Sequence, residues 1–92
     1  MTANDKQVTE SREKTEMRRV EFSIEDNGPM IEIGKEYEVT EYLSANYFYM
    51  LQDSLGMSAP IPLAQRLKSR KGVVVEKKNT PRSKIAVLEF PE

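Results

Sequence analysis

The 92-residue chain contains neither cysteine nor histidine. Without cysteine it can form no disulfide, no thiolate metal site and no thiol nucleophile. Without histidine it lacks the commonest general base near neutral pH and the commonest ligand of transition metals. Histidine-dependent catalytic triads and histidine-based metal sites are therefore excluded.

Long apolar runs and closely spaced glycines are also absent. No run approaches the ~20 apolar residues of a membrane span, and residues 1–6 lack the apolar core of a signal peptide, so we expect a cytoplasmic protein with no membrane partner. The four glycines lie far apart, which excludes a phosphate-cradling loop. Glu32, Glu36 and Glu38 lack the spacing of a calcium loop. The sequence predicts no enzymatic activity, no cofactor, no metal site and no small-molecule substrate.

The composition is polar but compatible with folding, at 38% hydrophobic and 32% charged residues. A chain of this length has room for one domain whose core is only a few side-chain layers thick. Residues 1–18 show no apolar periodicity, and we interpret them as a disordered polar tail. Residues 19–92 are predicted to form a single small domain.

The net charge of −1 conceals a marked division along the chain. Residues 1–65 carry 6 basic and 12 acidic side chains, whereas residues 66–84 carry 8 basic side chains and one acidic side chain, Glu76. The last eight residues add two glutamates. Because charge of one sign on a surface attracts the opposite sign, this division is the main indication of function.

Between residues 19 and 40, apolar and polar residues alternate with a period of two, which predicts strands. The first strand spans residues 19–25, and the second spans residues 31–40 with a bend or bulge at Gly34. Residues 26–29 between them form a turn cluster typical of a hairpin. The outer face of this first sheet is predicted to be acidic.

The strongest strand signals lie near the C-terminus. Residues 72–77 and 84–90 are rich in β-branched and apolar residues on both faces, and residues 78–83 between them favour a turn. The sequence therefore predicts a closing hairpin of two central strands, covered by the first sheet and by a helix.

The hydrophobic period changes in the middle of the chain. Apolar residues over 43–55 fall at helical spacings and Gly56 suits the position after a helix, which predicts one helix of about three to four turns. Pro60 and Pro62 require extended backbone before them, and Pro62 can open a short helical turn. The predicted fold class is α+β, with an antiparallel sheet of about four strands, one main helix and a short helical turn.

Eight basic side chains precede the C-terminal hairpin or surround its turn: Arg66, Lys68, Arg70, Lys71, Lys77, Lys78, Arg82 and Lys84. Folding of the hairpin could bring these two groups onto one surface, where they would neutralise phosphates or acidic side chains of a partner. The alternative interpretation is that they form a solvated face, balanced by the acidic first sheet.

Four of the seven aromatic residues lie at the start of the predicted helix or within it: Tyr42, Tyr47, Phe48 and Tyr49. At helical spacing most of this group, Tyr47 above all, is expected in the core. Tyr42 or Tyr49 is the candidate for an exposed anchor that stacks on a nucleobase or binds a partner protein.

Three C-terminal segments resemble the glycine-opened hairpin of small SH3-like barrels, including the KOW-type modules of ribosomal and transcription proteins: Arg66-Leu67-Lys68, Gly72-Val73-Val74-Val75-Glu76 and Val87-Leu88-Glu89-Phe90. The resemblance implies a sheet curled into a barrel that binds RNA, protein or both. A helix laid across an open sheet is the alternative architecture. The stretch from Ile33-Gly34-Lys35-Glu36-Tyr37 to Phe90 also resembles small uncharacterised bacterial proteins, which implies no particular activity.

A second resemblance is to winged helix-turn-helix regulators. Residues 55–58 are similar to the turn of that motif, residues 63–70 to its recognition helix and residues 72–90 to a basic-tipped wing. This resemblance implies that Arg66 and Lys68 lie near the major groove of DNA and that Arg82 lies near a phosphate.

Together these observations predict a non-catalytic binding module that contacts nucleic acid, either RNA or DNA, a ribonucleoprotein or an acidic protein through its basic surface. One alternative is an accessory domain that binds proteins through a sheet edge or the aromatic helix. The other is a DNA-binding regulator of the winged-helix kind. The oligomeric state stays open.

Overall fold

The structure is a computed structural model that describes residues 17–92, in which six strands and three short 3-10 helices form. The strands are β1 (Met17–Ser23), β2 (Glu36–Leu43), β3 (Tyr47–Leu51), β4 (Met57–Ser58), β5 (Lys71–Asn79) and β6 (Lys84–Pro91). The 3-10 helices are η1 (Glu25–Met30), η2 (Gln52–Ser54) and η3 (Leu63–Gln65).

The strands form one closed antiparallel barrel. Around the barrel they follow the order β1, β4, β3, β2, β5 and β6, and β6 then pairs with β1. The predicted α+β class, with about four strands and one main helix, is therefore wrong: residues 17–92 form a small, mostly β domain with six strands and no α-helix. The middle of the chain supplies strands where the sequence predicted a helix.

The predicted helix over residues 43–55 is replaced by the end of β2, the whole of β3 and η2. In β3, Tyr49 and Leu51 are buried and Met50 between them is partly exposed, so the segment also has the period of a strand. Aromatic residues favour strands, and residues 44–46 form the short turn that lets β3 pair with β2. The apolar pattern of this segment fits both the period of a helix and that of a strand, and pairing with β2 selects the strand.

Side chains from the strands and from the segments between them fill the barrel. The largest fully buried side chains are Tyr37, Tyr49, Phe22, Phe90, Ile24, Ile31, Leu51, Leu67, Leu88 and Val74. The predicted burial of Val20, Phe22 and Ile24 is confirmed, although β1 ends at Ser23 and Ile24 follows it. The predicted C-terminal hairpin is confirmed as well, because β5 and β6 are paired along most of their length.

A 3-10 helix, η1, occupies the position of the first predicted turn. The hairpin predicted around residues 26–29 is wrong, because β1 pairs with β4 and β6 and not with β2. The Nζ of Lys77 in β5 donates to the carbonyl oxygens of Gly28 at 2.8 Å and Ile31 at 2.9 Å, which anchors η1 to the barrel. The second strand predicted over residues 31–40 is only partly correct, because β2 begins at Glu36 and Gly34 lies in a turn before it. The φ of Gly34 is 92°, a conformation that favours glycine.

The segment between β4 and β5 contains one 3-10 turn and no further strand. Its first part is extended, as the prolines predicted, and Ile61 forms an isolated bridge with Tyr47 of β3. The helical turn predicted after Pro62 is η3, a single 3-10 turn of three residues. The recognition helix that the winged-helix resemblance implied over residues 63–70 is therefore not formed.

The predicted N-terminal tail is described only in part. Because β1 begins at Met17, Met17 and Arg18 lie in a strand. The rest of the predicted tail, residues 1–16, lies outside the described residues.

Candidate functional site

The eight basic residues predicted to share a surface lie towards the two ends of β5. The base group comprises the four that lead into β5: Arg66, Lys68, Arg70 and Lys71. The tip group comprises the four around the β5–β6 turn: Lys77, Lys78, Arg82 and Lys84. At about 3.3 Å per strand residue, Lys71 and Lys78 are separated by roughly 23 Å, so the hairpin holds the two groups apart.

The base group is built around one carboxylate, Glu41 of β2, whose side chain is only 14% exposed. Arg66 donates to it twice, from Nε to Oε2 at 3.0 Å and from Nη2 to Oε1 at 2.9 Å. Nη2 of Arg70 lies 3.1 Å from Oε1. The hydrogen bonds from Arg66 are the largest influence holding the pKa of Glu41 below its ordinary value, against the opposing effect of burial.

Both arginines of this cluster also lie against aromatic rings. The guanidinium of Arg66 lies 5.3 Å from the centroid of the Tyr47 ring, and that of Arg70 lies 5.8 Å from the centroid of the Tyr49 ring. The hydrogen bond to Glu41 raises the pKa of Arg66. Charge-assisted hydrogen bonds and cation–π contacts thus commit these two guanidinium groups to the protein itself.

Tyr49 belongs to the core and is not an exposed anchor. Its side chain is fully buried, and its hydroxyl donates to Glu41 Oε2 at 2.7 Å while accepting from the backbone N–H of Leu67 at 2.9 Å. Burial raises the pKa of Tyr49, and the hydrogen bond to Glu41 adds to this effect. Tyr42, 49% exposed on the outer face of β2, is the member of the predicted pair that a partner can reach.

Two lysines of the tip group have partners inside the domain. The Nζ of Lys77 is held by the two carbonyl oxygens that anchor η1, so this side chain has a structural role. The Nζ of Lys78 donates to Glu21 Oε2 at 2.8 Å across the outer face of the barrel, and this hydrogen bond raises the pKa of Lys78. Both side chains of the Glu21–Lys78 pair are well exposed, so the pair is weak and exchangeable.

The turn that carries Arg82 is held by its own hydrogen bonds. Thr80 donates to the carbonyl oxygen of Ser83 from its N–H at 2.8 Å and from its hydroxyl at 2.9 Å, and the N–H of Ser83 donates back to Thr80 Oγ1 at 2.9 Å. The N–H of Ile24 donates to the carbonyl oxygen of Lys84 at 2.9 Å, which joins the turn to the end of β1. Arg82 and Lys84 therefore extend from a hydrogen-bonded turn.

A groove of about 270 Å³ lies between η1 and the hairpin. Lys77, Lys78 and Lys84 line it together with Gly28 and Asn79. Among the ion pairs formed within residues 17–92, Lys78 is the only member of the tip group that takes part.

A second groove, of about 210 Å³, lies beside the turn itself. Arg82 and Lys84 line it, and Glu25 and Asp26 of η1 lie on its other side. The tip surface is thus mixed in charge on the η1 side.

The sequence reasoning missed Glu41 and the structural role of Lys77. The signal for Glu41 was available, because Tyr37, Val39 and Glu41 share one parity and a carboxylate on an inward face requires hydrogen-bonding partners. No comparable signal marked Lys77, whose acceptors are backbone carbonyl oxygens 49 and 46 residues away.

No helix within residues 17–92 is long and apolar enough to cross a membrane. In the same part of the chain, no three acidic side chains converge as the ligands of a metal ion would. Comparisons of the chain with protein-family models, curated proteins and solved structures found no match.

Proposed function

We propose that the chain is a non-catalytic binding module whose tip group contacts the phosphate backbone of a nucleic acid. Arg82 and Lys84 make the principal contacts, and Lys78 joins them when its exposed pair with Glu21 opens. Lys77 supports this surface by holding η1 in place. The contact is electrostatic and carries little base specificity, because lysine and arginine neutralise phosphates of any sequence.

One observation carries the proposal: both arginines of the base group are paired with a carboxylate, whereas the arginine of the tip group forms no ion pair within the described residues. Lys68 and Lys71 of the base group form no ion pair there either, so the difference lies in the arginines. In the base group, Arg66 and Arg70 are hydrogen-bonded to Glu41 or paired with it. In the tip group, neither Arg82 nor Lys84 has a carboxylate partner within the described residues. A cation on this hydrogen-bonded turn that has no ion pair gains more from meeting a phosphate than an arginine already bound to Glu41 does.

The test is a binding titration of the full chain with mixed-sequence single-stranded RNA and with duplex DNA. Affinity is measured between about 50 and 200 mM salt, because each neutralised phosphate contributes about −0.7 to −0.9 to the slope of log K against log salt. Replacing two cations, Arg82→Gln with Lys84→Gln, is expected to make this slope shallower by about 1.4 to 1.8.

The matched control is the pair Lys68→Gln with Lys71→Gln, which removes the same charge from the base group. This control is expected to leave the slope unchanged. The proposal fails if no binding is detected at about 50 mM salt, where phosphate contacts are strongest. It also fails if both double variants weaken binding equally, which would indicate attraction to net charge alone. Equal competition by polyglutamate would instead identify an acidic protein as the partner.

A further inference from the structure

The outer face of the barrel carries an apolar stripe across three strands. Tyr42 of β2 is paired with Phe48 of β3, and Met50 of β3 is paired with Met57 of β4. Phe48 and Met50 are two residues apart, so their side chains lie on the same face of β3. We call these four residues the outer stripe.

The outer stripe is accessible to solvent. Tyr42 is 49% exposed and Met57 is 40% exposed, while Phe48 and Met50 are partly exposed. The core is filled from the other side of the same strands, so these four side chains are not needed to complete it. Tyrosine, phenylalanine and methionine are among the side chains enriched at protein interfaces.

The surface beside the outer stripe is acidic. Glu36 and Glu38 lie on the same outer row of β2, and both are exposed. The backbone N–H of Glu38 donates to Gln52 Oε1 at 2.8 Å, which brings η2 and the exposed Asp53 next to this row. Two lysines also lie near this row: Lys71 is paired with Glu38 in the β2–β5 register, and Lys35 directly precedes β2.

The exposed apolar area is small. A whole aromatic side chain offers about 150–250 Å², so the exposed parts of Tyr42 and Met57 with their two neighbours amount to on the order of 300 Å². A stable dimer buries about 800 Å² on each partner. The outer stripe therefore matches a short peptide segment better than the surface of a second folded domain.

We propose that the outer stripe binds a short extended segment of a partner protein that carries apolar side chains next to lysine or arginine. The apolar side chains cover Tyr42 and Met57, and the basic side chains lie against Glu36 and Glu38. Glu38 is about 13 Å from Tyr42 along β2, which corresponds to four residues of an extended segment. This surface is distinct from the tip group and does not depend on its binding of nucleic acid.

The methionines provide a direct test by NMR of their ε-methyl groups in the full chain. Met50 and Met57 report on the outer stripe, and Met30, which is 62% exposed in η1, is an internal control. The probes are a short synthetic peptide with leucine and phenylalanine followed by arginines, and the same peptide with glutamate in place of arginine. The arginine peptide is expected to shift the signals of Met50 and Met57 and to leave that of Met30 in place.

Variants extend the test to affinity. Tyr42→Ser is expected to weaken binding of the arginine peptide at least about tenfold, as the loss of an interface anchor does. Glu36→Lys with Glu38→Lys is expected to reverse the preference between the two peptides. Leu63→Ser, a change of an exposed apolar residue outside the outer stripe, and Arg82→Gln with Lys84→Gln are expected to leave peptide binding unchanged.

Four results would overturn the proposal. These are no shift at millimolar peptide, equal binding of the glutamate peptide, an equal shift of Met30, and methyl signals that change with protein concentration before any peptide is added. The last result would identify a second copy of the chain as the occupant.

Discussion

Glu41 is held by side chains from two other parts of the chain, Tyr49 of β3 and the arginines that precede β5. An ionised carboxylate that is largely shielded from solvent is costly unless its oxygens are hydrogen-bonded. Here Oε2 accepts from Tyr49 and Arg66, and Oε1 accepts from Arg66 with Arg70 beside it. The cluster therefore joins β2, β3 and the segment that enters β5.

Replacing this carboxylate, Glu41→Gln, is expected to lower the free energy of unfolding by about 1–3 kcal/mol, because hydrogen bonds to a charged group are lost. The pKa of Glu41 is lower in the folded state than its ordinary value. Its contribution is therefore full above the ordinary pKa of a glutamate and is lost as the pH falls through the lowered value. Urea unfolding at a series of pH values should show the wild-type advantage shrinking on acidification.

Glu38→Gln is the matched control, because Glu38 is exposed on the outer face of the same strand. Its effect on unfolding is expected to stay within about 0.5 kcal/mol. An advantage of wild type over Glu41→Gln that did not change with pH would contradict the assignment of an ionised Glu41.

At the scale of the elements, the β5–β6 hairpin depends on close packing between a glycine and a ring. A Cβ placed on Gly72 would lie 2.7 Å from Cε2 and 2.8 Å from Cζ of Phe90. Phe90 also packs against Phe22 of β1, with 6.3 Å between ring centroids. Gly72 therefore provides the space that lets the ring of Phe90 fill the barrel between β5 and β1.

Gly72→Ala is expected to destabilise the domain by about 1–3 kcal/mol, because the aromatic ring must move out of its position. Gly28→Ala is the matched control, since its added Cβ would meet side-chain atoms only at 3.9 Å. That control is expected to change stability by less than about 1 kcal/mol. Thermal or urea unfolding measures both, and equal effects of the two alanines would contradict the packing explanation.

At the scale of the whole molecule, the first and last described strands close the barrel. β1 pairs with β6 from Met17 opposite Pro91 to Ser23 opposite Ile85. These pairings join residues that are far apart in sequence. The chain must lose the entropy of closing a long loop before these contacts stabilise it, and proteins with many such contacts fold slowly. Closure also removes exposed sheet edges along most of the barrel.

Phe90→Ala is expected to cost about 3–5 kcal/mol and to weaken the whole barrel in one cooperative transition. Such a cost is a large part of the stability of a small domain. Leu63→Ala, at a side chain that is 57% exposed, is expected to change stability by less than about 0.5 kcal/mol. Hydrogen exchange provides the check: β1 and β6 exchanging in the variant while β2 and β3 stay protected would show that closure is not coupled to the rest.

The sequence by itself determined the features that depend on local pattern and on composition. The alternation in the first strand placed Val20, Phe22 and Ile24 inside, and the β-branched runs near the C-terminus formed the hairpin that was predicted. The absence of histidine and cysteine excluded whole classes of chemistry through composition alone. These conclusions do not depend on contacts between residues that are far apart in sequence.

Only the tertiary structure determined the secondary structure of the middle of the chain and the arrangement of the charged side chains. Residues 43–55 fit both a helix and a strand, and the presence of β2 as a pairing partner selected the strand. The basic residues near β5 are close in sequence, but an extended strand of nine residues separates them into two groups. The partners of Glu41 and the acceptors of Lys77 depend on contacts between distant parts of the chain, which periodicity does not encode.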